Sequence, residues 1–322
     1  MEVFSLVLNQ MLLMAILIVA GFVLRKKNIV PNGTGSILSK TETFLFVPAL
    51  NLINQINKCT PKTFVENSPL LLYGAIFVTL AIVVAYPLSR IFVSKTKGDA
   101  KLVYRQNVYK YAMAFSNYGF MGNFVVLSVW GEDMFFKYSM LCLPVSVLCT
   151  SWGLYVLVPK EQNAGLLQNL KKGLLTPPLI ALSIGMVLGL VGAKPFIPEF
   201  CLNALDNASK CMGPVAMVLA GMVIGEYDIK KLISDKKVYL ASLFRLILIP
   251  SAALLILKAL GAGDEVTCLA LVLFACPLGL NTIVYPATYG GETKTGASMA
   301  VISNLLAIIS LPIMYYVFMV LL

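Results

Sequence analysis

Histidine is absent from this sequence, and charged residues are scarce. Only 12% of the 322 residues are Asp, Glu, Lys or Arg, whereas a soluble domain carries about a quarter. Without histidine the chain lacks the commonest metal ligand and a common general base, and its seven cysteines form no C-x-x-C pair. A zinc centre or a histidine-based catalytic site is therefore not expected. We predict that the chain is not an enzyme and that it holds no metal and no cofactor.

Apolar residues dominate the composition instead. They make up 59% of the chain, and the mean hydropathy is +0.85, which is typical of an integral membrane protein. Runs of about 20 apolar residues, the length of a membrane-spanning helix, recur from one end to the other. We predict an all-α membrane protein with ten transmembrane helices, at about residues 4–24, 38–56, 69–93, 107–130, 134–158, 174–193, 202–225, 238–261, 266–289 and 296–322.

The lysines and arginines predict how these helices are oriented. Most of the 25 fall in the odd-numbered connections, and basic residues concentrate in short loops on the cytoplasmic side of a membrane. Both termini are therefore expected outside, in a multi-pass protein of the cell membrane. The net charge of +10 comes from the same loops, so we interpret it as orientation and contact with the lipid bilayer, with no nucleic-acid partner.

The second half of the sequence resembles the first. VAGFVLRKKNI at 19–29 aligns with VLGLVGAKPFI at 187–197, and further matches follow in order. Five helices in each half would insert the two halves with opposite orientation, which is the inverted repeat of many secondary transporters. The alternative is that Gly and Pro coincide by chance in a sequence of low diversity. The predicted repeats are residues 1–158 and 174–322, joined by a short cytoplasmic connector at 159–173.

Two of the predicted helices contain residues that interrupt a helix. SNYGFMGNF at 116–124 lies in the fourth, and ACPLGLNTIVYP at 275–286 lies at the corresponding position of the ninth. In hydrocarbon, an interrupted helix is tolerated only where protein or a water-filled cavity satisfies its backbone groups. A matched pair of interruptions therefore indicates a transport site. The residues expected to break these helices are Gly119, Gly122, Gly279 and Pro277.

Asparagines near both interruptions favour a polar ligand. Each break leaves a helix N-terminus with unpaired N–H groups and a partial positive charge, which suits a carboxylate. We predict that the substrate binds at Asn117, Asn123, Pro277 and Asn281, with the amide side chains orienting it. Neither interrupted helix contains Asp or Glu in its apolar stretch, which disfavours a cation or proton exchanger. The alternative is that the asparagines only join helices by hydrogen bonds.

Other polar residues inside the predicted spans have more than one interpretation. Asp206 and Lys210 are four residues apart on one face of a helix and are expected to form a structural ion pair. Arg245 lies about two turns into its span, where it either extends to the cytoplasmic end or acts as a counter-charge to the substrate. These three residues could support the site.

A few further side chains near the interruptions are also interpreted. Glu42 is expected to pair with Lys40 or with Asn51, and Asn51 is a further supporting polar residue. Tyr118 and Tyr285 either form walls of the site or pack between helices. Both alternatives are left open by the sequence.

Four segments of the chain are distinctive together: SNYGFMGNFVVLSVWGE, CPLGLNTIVYPATYGGE, LPIMYYVF and GPVAMVLAGMVIGE. They resemble the auxin efflux carrier family of plant carriers and their bacterial relatives, which include proteins described as malonate transporters. The resemblance covers essentially the whole chain. It implies a scaffold of spans one, two, six and seven, a mobile part of spans three to five and eight to ten, crossover helices at spans four and nine, and a homodimer.

The resemblance also implies residue roles, with two departures. Asn117 occupies the position of a substrate-contacting asparagine, and Pro277 the position of the ninth-span break. This chain has Phe124 where the family usually has proline, preceded by the polar Asn123. It also lacks the long hydrophilic central loop of many plant carriers, which indicates a compact bacterial-type member in a cytoplasmic membrane.

These observations predict a secondary transporter that moves a small organic anion by alternating access, in the direction of efflux. The expected substrate is a carboxylate, either malonate-like or auxin-like. Obligatory proton coupling is not supported, and transport driven by the membrane potential is equally compatible with the sequence. A channel, or a sensor that binds ligand without transport, is the alternative on the same scaffold.

Overall fold

The chain is built from helices. A computed structural model describes every residue except Met1, Lys95, Lys97, Gly98, Lys160, Glu161, Ala164 and Gly290. The described residues form no β-strand, and their only strand-like pairing is an isolated antiparallel bridge between Ser116 and Leu278.

Helices α1 to α7 belong to the first half of the chain. Two π-helical turns continue the helices that they join: Glu42–Phe46 links α2 to α3, and Tyr118–Gly122 leads into α7. The α-helices are α1 Glu2–Lys26, α2 Thr34–Thr41, α3 Val47–Lys58, α4 Pro61–Asn67, α5 Pro69–Phe92, α6 Ala100–Ala114 and α7 Asn123–Leu157.

Helices α8 to α16 belong to the second half. Here the π-helical turn Phe244–Leu248 links α12 to α13, and another, Val317–Leu321, follows the last helix. The α-helices are α8 Leu166–Leu174, α9 Pro177–Leu190, α10 Glu199–Gly225, α11 Ile229–Leu232, α12 Lys236–Leu243, α13 Ile249–Ala259, α14 Asp264–Ala275, α15 Asn281–Thr288 and α16 Lys294–Tyr316.

Six stretches of the described helices are long and apolar enough to cross a membrane, and a seventh is obtained if α8 and α9, which meet at a bend of 51°, form one span. The chain is therefore a multi-pass membrane protein, as its composition predicts. Ten spans and the inverted repeat stay predictions. The second predicted span is not among the six stretches, since its helix is short and rich in amide side chains, and neither is the ninth, which is interrupted. The six stretches are Val3–Lys26, Pro61–Phe92, Tyr118–Leu157, Glu199–Gly225, Lys236–Ala259 and Lys294–Leu321.

A sharp bend divides the long helix α7. Gly131 has φ 78° and ψ −170°, a backbone conformation that is open mainly to glycine. The bend coincides with the predicted gap between the fourth and fifth spans. Beside it, Lys58 Nζ lies 2.8 Å from an Asp133 carboxylate oxygen, and this hydrogen bond raises the pKa of Lys58. The ion pair connects the bend to the end of α3.

Helices α1 and α10 approach each other through glycines. A Cβ atom on Gly21 would lie 2.0 Å from the carbonyl oxygen of Val218, and one on Gly221 would lie 1.9 Å from that of Ile18. Such small residues let membrane helices pack backbone to backbone. Helix α10 also packs on α3, and α3 packs on α9. These contacts join the first, second, sixth and seventh predicted spans, which is the set predicted to form the scaffold; that division stays a prediction.

Replacement of Gly221 by alanine tests this close packing. Gly→Ala at an open helical position stabilises a helix by about 0.5–1 kcal/mol, but here the added methyl group would overlap the backbone of α1. We expect Gly221→Ala to destabilise the protein by about 1–3 kcal/mol, measured as a lower Tm of the purified protein in detergent. Gly263→Ala is the control, since a Cβ atom there meets nothing within 4 Å. Equal Tm values for both variants would show that α1 and α10 are not in backbone contact.

Candidate substrate-binding site

The two predicted interruptions are present, and they contact each other. Residues 115–117 and 276–280 are not α-helical. The N–H group of Asn117 donates to the carbonyl oxygen of Pro277 at 2.7 Å, next to the bridge between the two segments. The breaks therefore satisfy part of each other's backbone, which is what an interruption in an apolar environment requires.

The glycines lie at different places relative to the breaks. Gly279 is in the second break, and a Cβ atom on it would lie 3.3 Å from the carbonyl oxygen of Ser116. Gly119 and Gly122, in contrast, are helical and belong to the π-helical turn that follows the first break. The expectation that these two glycines form the fourth-span break is therefore corrected: the break lies just before them, where the contact with Pro277 draws the backbone out of the helix.

A helix N-terminus follows each break. The carbonyl groups of Asn117 and Leu280 accept the first backbone hydrogen bonds of the two helices. The N–H groups that precede these first bonded residues, at 118–120 and 281–282, have no partner within their own helices. Each N-terminus carries about half a positive elementary charge. Both helix N-termini lie at the cavity that is described next.

One cavity of about 340 Å³ lies against both breaks. Its volume is at the lower end of the range for small-molecule sites. Residues from both halves of the chain line it, with hydroxyl, thiol and amide groups among apolar side chains. The polar lining residues are Ser39, Lys40, Thr43, Asn51, Ser116, Asn117, Tyr118, Asn123, Ser139, Cys142, Ser146, Cys149, Thr150, Thr176, Asn281 and Tyr285.

Asn117 and Asn123 are buried at the cavity and are not used to join helices. Their residual exposures are 5% and 8%, and among the described residues neither side chain forms a hydrogen bond with protein. Their side-chain polar atoms are not fully enclosed by protein. Since a buried amide normally has a partner, these two side chains are free to bind a ligand or water in the cavity.

Asn281 lines the same cavity but is partly engaged. Its side-chain nitrogen donates to the Tyr111 hydroxyl at 3.0 Å, and that hydroxyl lies 2.9 Å from the Cys149 sulfur. This side chain therefore does join two helices, as the alternative interpretation of the asparagines proposed. Within the described structure, its amide oxygen makes no hydrogen bond and remains available to a ligand.

Three of the four supporting residues lie away from the cavity. Asp206 and Lys210 form an ion pair with a separation of 2.6 Å on the surface of α10, as the spacing predicts. Arg245 is 1% exposed and donates to the carbonyl oxygens of Met113 at 3.2 Å and Leu273 at 3.4 Å. It neither extends to the membrane surface nor lines the cavity, so both interpretations of Arg245 are wrong. A single sequence could not show that two helix ends meet at this side chain.

Glu42 also differs from its expected role. It is fully buried, and neither carboxylate oxygen has a hydrogen-bond partner in the described part of the chain. Lys40 is two residues away, and residues two apart on a helix do not face each other. Asn51 instead donates to the carbonyl oxygen of Pro178 at 3.0 Å, joining α3 to the start of α9. The predicted pairing of Glu42 is therefore wrong, although Asn51 does line the cavity.

Several polar residues of this region were not predicted from the sequence. Ser116 lies inside the first break and donates to the Leu273 carbonyl oxygen at 2.6 Å. Gln55 donates to the Ser139 hydroxyl at 2.8 Å, and Asn54 to the Glu132 carbonyl oxygen at 3.1 Å. The amides at 51, 54 and 55 share one helix face, so their spacing in an apolar span could have indicated a polar stripe on α3.

This geometry defines a membrane protein with a partly polar cavity at two interrupted helices, an arrangement that is found in transporters. The chain matches the profile of the membrane transport protein family over residues 6–315. It belongs to that family, of the auxin efflux carrier type. A search of curated proteins found no match. The described residues contain no group of three or more His, Cys, Asp or Glu side chains that could hold a metal ion.

The two glycines after the first break provide a test of the local packing. A Cβ atom on Gly122 would lie 2.4 Å from the Tyr138 hydroxyl oxygen, whereas one on Gly119 meets nothing within 4 Å. Tyr138 donates to the carbonyl oxygen of Tyr118 at 3.2 Å, so its displacement would loosen the helix start. We expect Gly122→Ala to lower the stability by about 1–3 kcal/mol and Gly119→Ala to leave it unchanged or higher. Thermal unfolding in detergent measures both, and the reverse order would contradict the described packing.

Proposed function

We propose that this chain is a secondary transporter of a small organic anion. The observation that carries the proposal is a pair of buried amides, Asn117 and Asn123, which lie at the cavity beside two helix N-termini. Neither side chain forms a hydrogen bond within the part of the chain that the structure describes. An anion placed there would accept hydrogen bonds from the amides and be stabilised by the partial positive charges of the helix ends. Membership in a membrane transport family supports the same conclusion.

A mono- or dicarboxylate is the substrate class that suits this cavity best. The volume of about 340 Å³ favours a small solute, of which malonate or an indole-acetate-like acid is an example. Apolar side chains such as Leu182 and Val284 provide contacts for a hydrocarbon or ring portion. The neutral amides orient the carboxylate without the desolvation cost that a buried charged side chain would carry.

Transport would proceed by alternating access on a ten-span fold of two inverted repeats. The helical stretches agree with this topology in that α2 to α3 form one continuous helix, α7 bends at Gly131, and α14 and α15 flank a break. The part with spans three to five and eight to ten would carry the substrate past spans one, two, six and seven. Both interrupted helices would then move together, since their breaks are bonded to each other.

The open side of the cavity supports export. Lys40 and Phe44 line the cavity and are exposed, and Thr176 lines it at the start of α9. In the predicted topology these residues lie at the cytoplasmic ends of the second and sixth spans. The described conformation would therefore receive substrate from the cytoplasm, and the membrane potential would favour the outward movement of an anion.

Substitution of Asn117 tests the site. In liposomes, uptake and counterflow of radiolabelled carboxylates, malonate and indole-acetate included, would be compared for the native chain, Asn117→Ala, Asn123→Ala and the control Asn207→Ala, which alters an exposed asparagine. A hydrogen bond to a charged group is worth about 1.5–3 kcal/mol, so we expect kcat/KM to fall about 10- to 100-fold at Asn117. Saturable flux that the substitution leaves intact would remove Asn117 from the site. Binding without flux would indicate a sensor, and flux without saturation a channel.

Lys40 is expected to attract the anion to the cavity mouth. Its side chain is exposed, so its effect should be electrostatic and screened by salt. We expect Lys40→Gln to raise KM a few-fold at low ionic strength and to have little effect at about 0.5 M salt, with kcat unchanged. The control is Lys62→Gln, in which an exposed lysine outside the cavity is neutralised. A change in KM that persists at high salt would instead indicate direct contact with the substrate.

A further inference from the structure

Arg245 is a buried cation without an acidic partner. It lies in the π-helical turn Phe244–Leu248, between α12 and α13, and is 1% exposed. Among the described residues no carboxylate lies within 4.0 Å of it, although six ion pairs of that kind occur elsewhere. Burial of an unpaired charge costs several kcal/mol, so its environment must compensate for the charge in another way.

The compensation comes from the C-terminal ends of both interrupted helices. The two terminal nitrogens donate to the carbonyl oxygens of Met113, in the last turn of α6, and Leu273, in the last turn of α14. The last carbonyl groups of a helix have no partner within it, and each C-terminus carries about half a negative elementary charge. Two such ends together balance about one positive charge, which is the charge of one guanidinium group.

Arg245 is separated from the substrate cavity. It is not among the residues that line the cavity of about 340 Å³. A void of about 10 Å³ lies beside it, which is enough for about one water molecule and too small for a carboxylate. The two ends of the interrupted helices thus differ: their N-terminal ends lie at the cavity, and their C-terminal ends contact Arg245.

In transporters with discontinuous helices, carbonyl groups and helix C-termini of this kind bind the coupling cation. We propose that the Arg245 guanidinium takes the place of such a cation in this chain. It is a built-in positive charge that holds the two interrupted helices together, so that neither a bound sodium ion nor a bound proton is needed to complete the structure. The proposal that Arg245 replaces a bound cation does not depend on the substrate. Its consequence for coupling rests on the proposed function.

The consequence concerns the driving force. A carrier that binds its cation from solution must release it on the other side before it returns, and this couples the two fluxes. A guanidinium group that belongs to the chain cannot be released. The proposed anion flux should therefore respond to the substrate gradient and the membrane potential, and not to a sodium or pH gradient at a fixed potential.

Chemical rescue tests the proposal without any transport assay. Native protein, Arg245→Ala and the control Arg90→Ala, which removes an exposed arginine, would be unfolded thermally in detergent at constant ionic strength with choline as the reference cation. We expect the Tm of Arg245→Ala to fall by about 5 °C or more. Guanidinium at about 20 mM, far below denaturing concentrations, should restore at least half of this loss and leave the other two proteins unchanged. Sodium should not raise the Tm of the native protein.

Each outcome decides the proposal. The proposal would be overturned if Arg245→Ala lost stability and neither guanidinium, sodium nor potassium restored it. It would also be overturned if sodium raised the Tm of the native protein as much as that of Arg245→Ala. If Arg245→Ala cannot be purified, Arg245→Lys and Arg245→Met replace it: we expect the lysine variant, which keeps the charge, to fold with a Tm at least 5 °C above that of the methionine variant, and equal Tm values would overturn the proposal. Absence of flux in liposomes would reject the proposed function and leave these results standing.

Discussion

Inside a membrane, every backbone N–H and C=O group needs a partner in the protein or in a water-filled cavity, and the rest of this structure depends on how two broken helices meet that requirement. Each break supplies part of what the other lacks. The N–H group of Asn117 donates to the carbonyl oxygen of Pro277, and Ser116 and Arg245 both donate to the carbonyl oxygen of Leu273. The N–H group of the neighbouring Leu278 donates to a serine hydroxyl of α16. The two breaks thus stabilise each other, and the cavity lies where the two halves of the chain meet.

This arrangement separates charge along the interrupted helices. The C-terminal ends of α6 and α14 contact a buried guanidinium group, and the N-terminal ends that follow the breaks lie at the cavity. The cavity therefore offers partial positive charge and neutral amides, without a cationic side chain at its centre. In the proposed function, such a site would bind an anion firmly enough to select it and weakly enough to release it, as transport requires. Lys40 at the mouth would add attraction for the proposed anion at a distance, where water and salt can moderate it.

Individual residues show where prediction from the sequence succeeds and where it stops. The membrane class, the positions of both breaks to within a few residues, and the ion pair of Asp206 and Lys210 follow from local patterns. The function of Gly122 does not, because it depends on Tyr138 of the same long helix after its bend. Nor do the surroundings of Glu42, which has no hydrogen-bond partner among the described residues, or of Arg245, whose hydrogen-bond partners lie on two other helices. A helical period describes which residues share a face but not which helix covers that face.

The sequence by itself determined that the chain is a helical membrane protein of a transport family, interrupted at two matched places that carry asparagine. These properties are local, since they depend on composition, on apolar runs and on residues that disfavour a continuous helix. Only the tertiary structure decided that the Asn117 and Asn123 side chains have no hydrogen-bond partner among the described residues, that Asn281 is tied to Tyr111, and that Arg245 caps two helix ends. These facts depend on distances between residues that are 28 to 170 positions apart in the sequence, and hydrogen bonding acts only over about 3 Å.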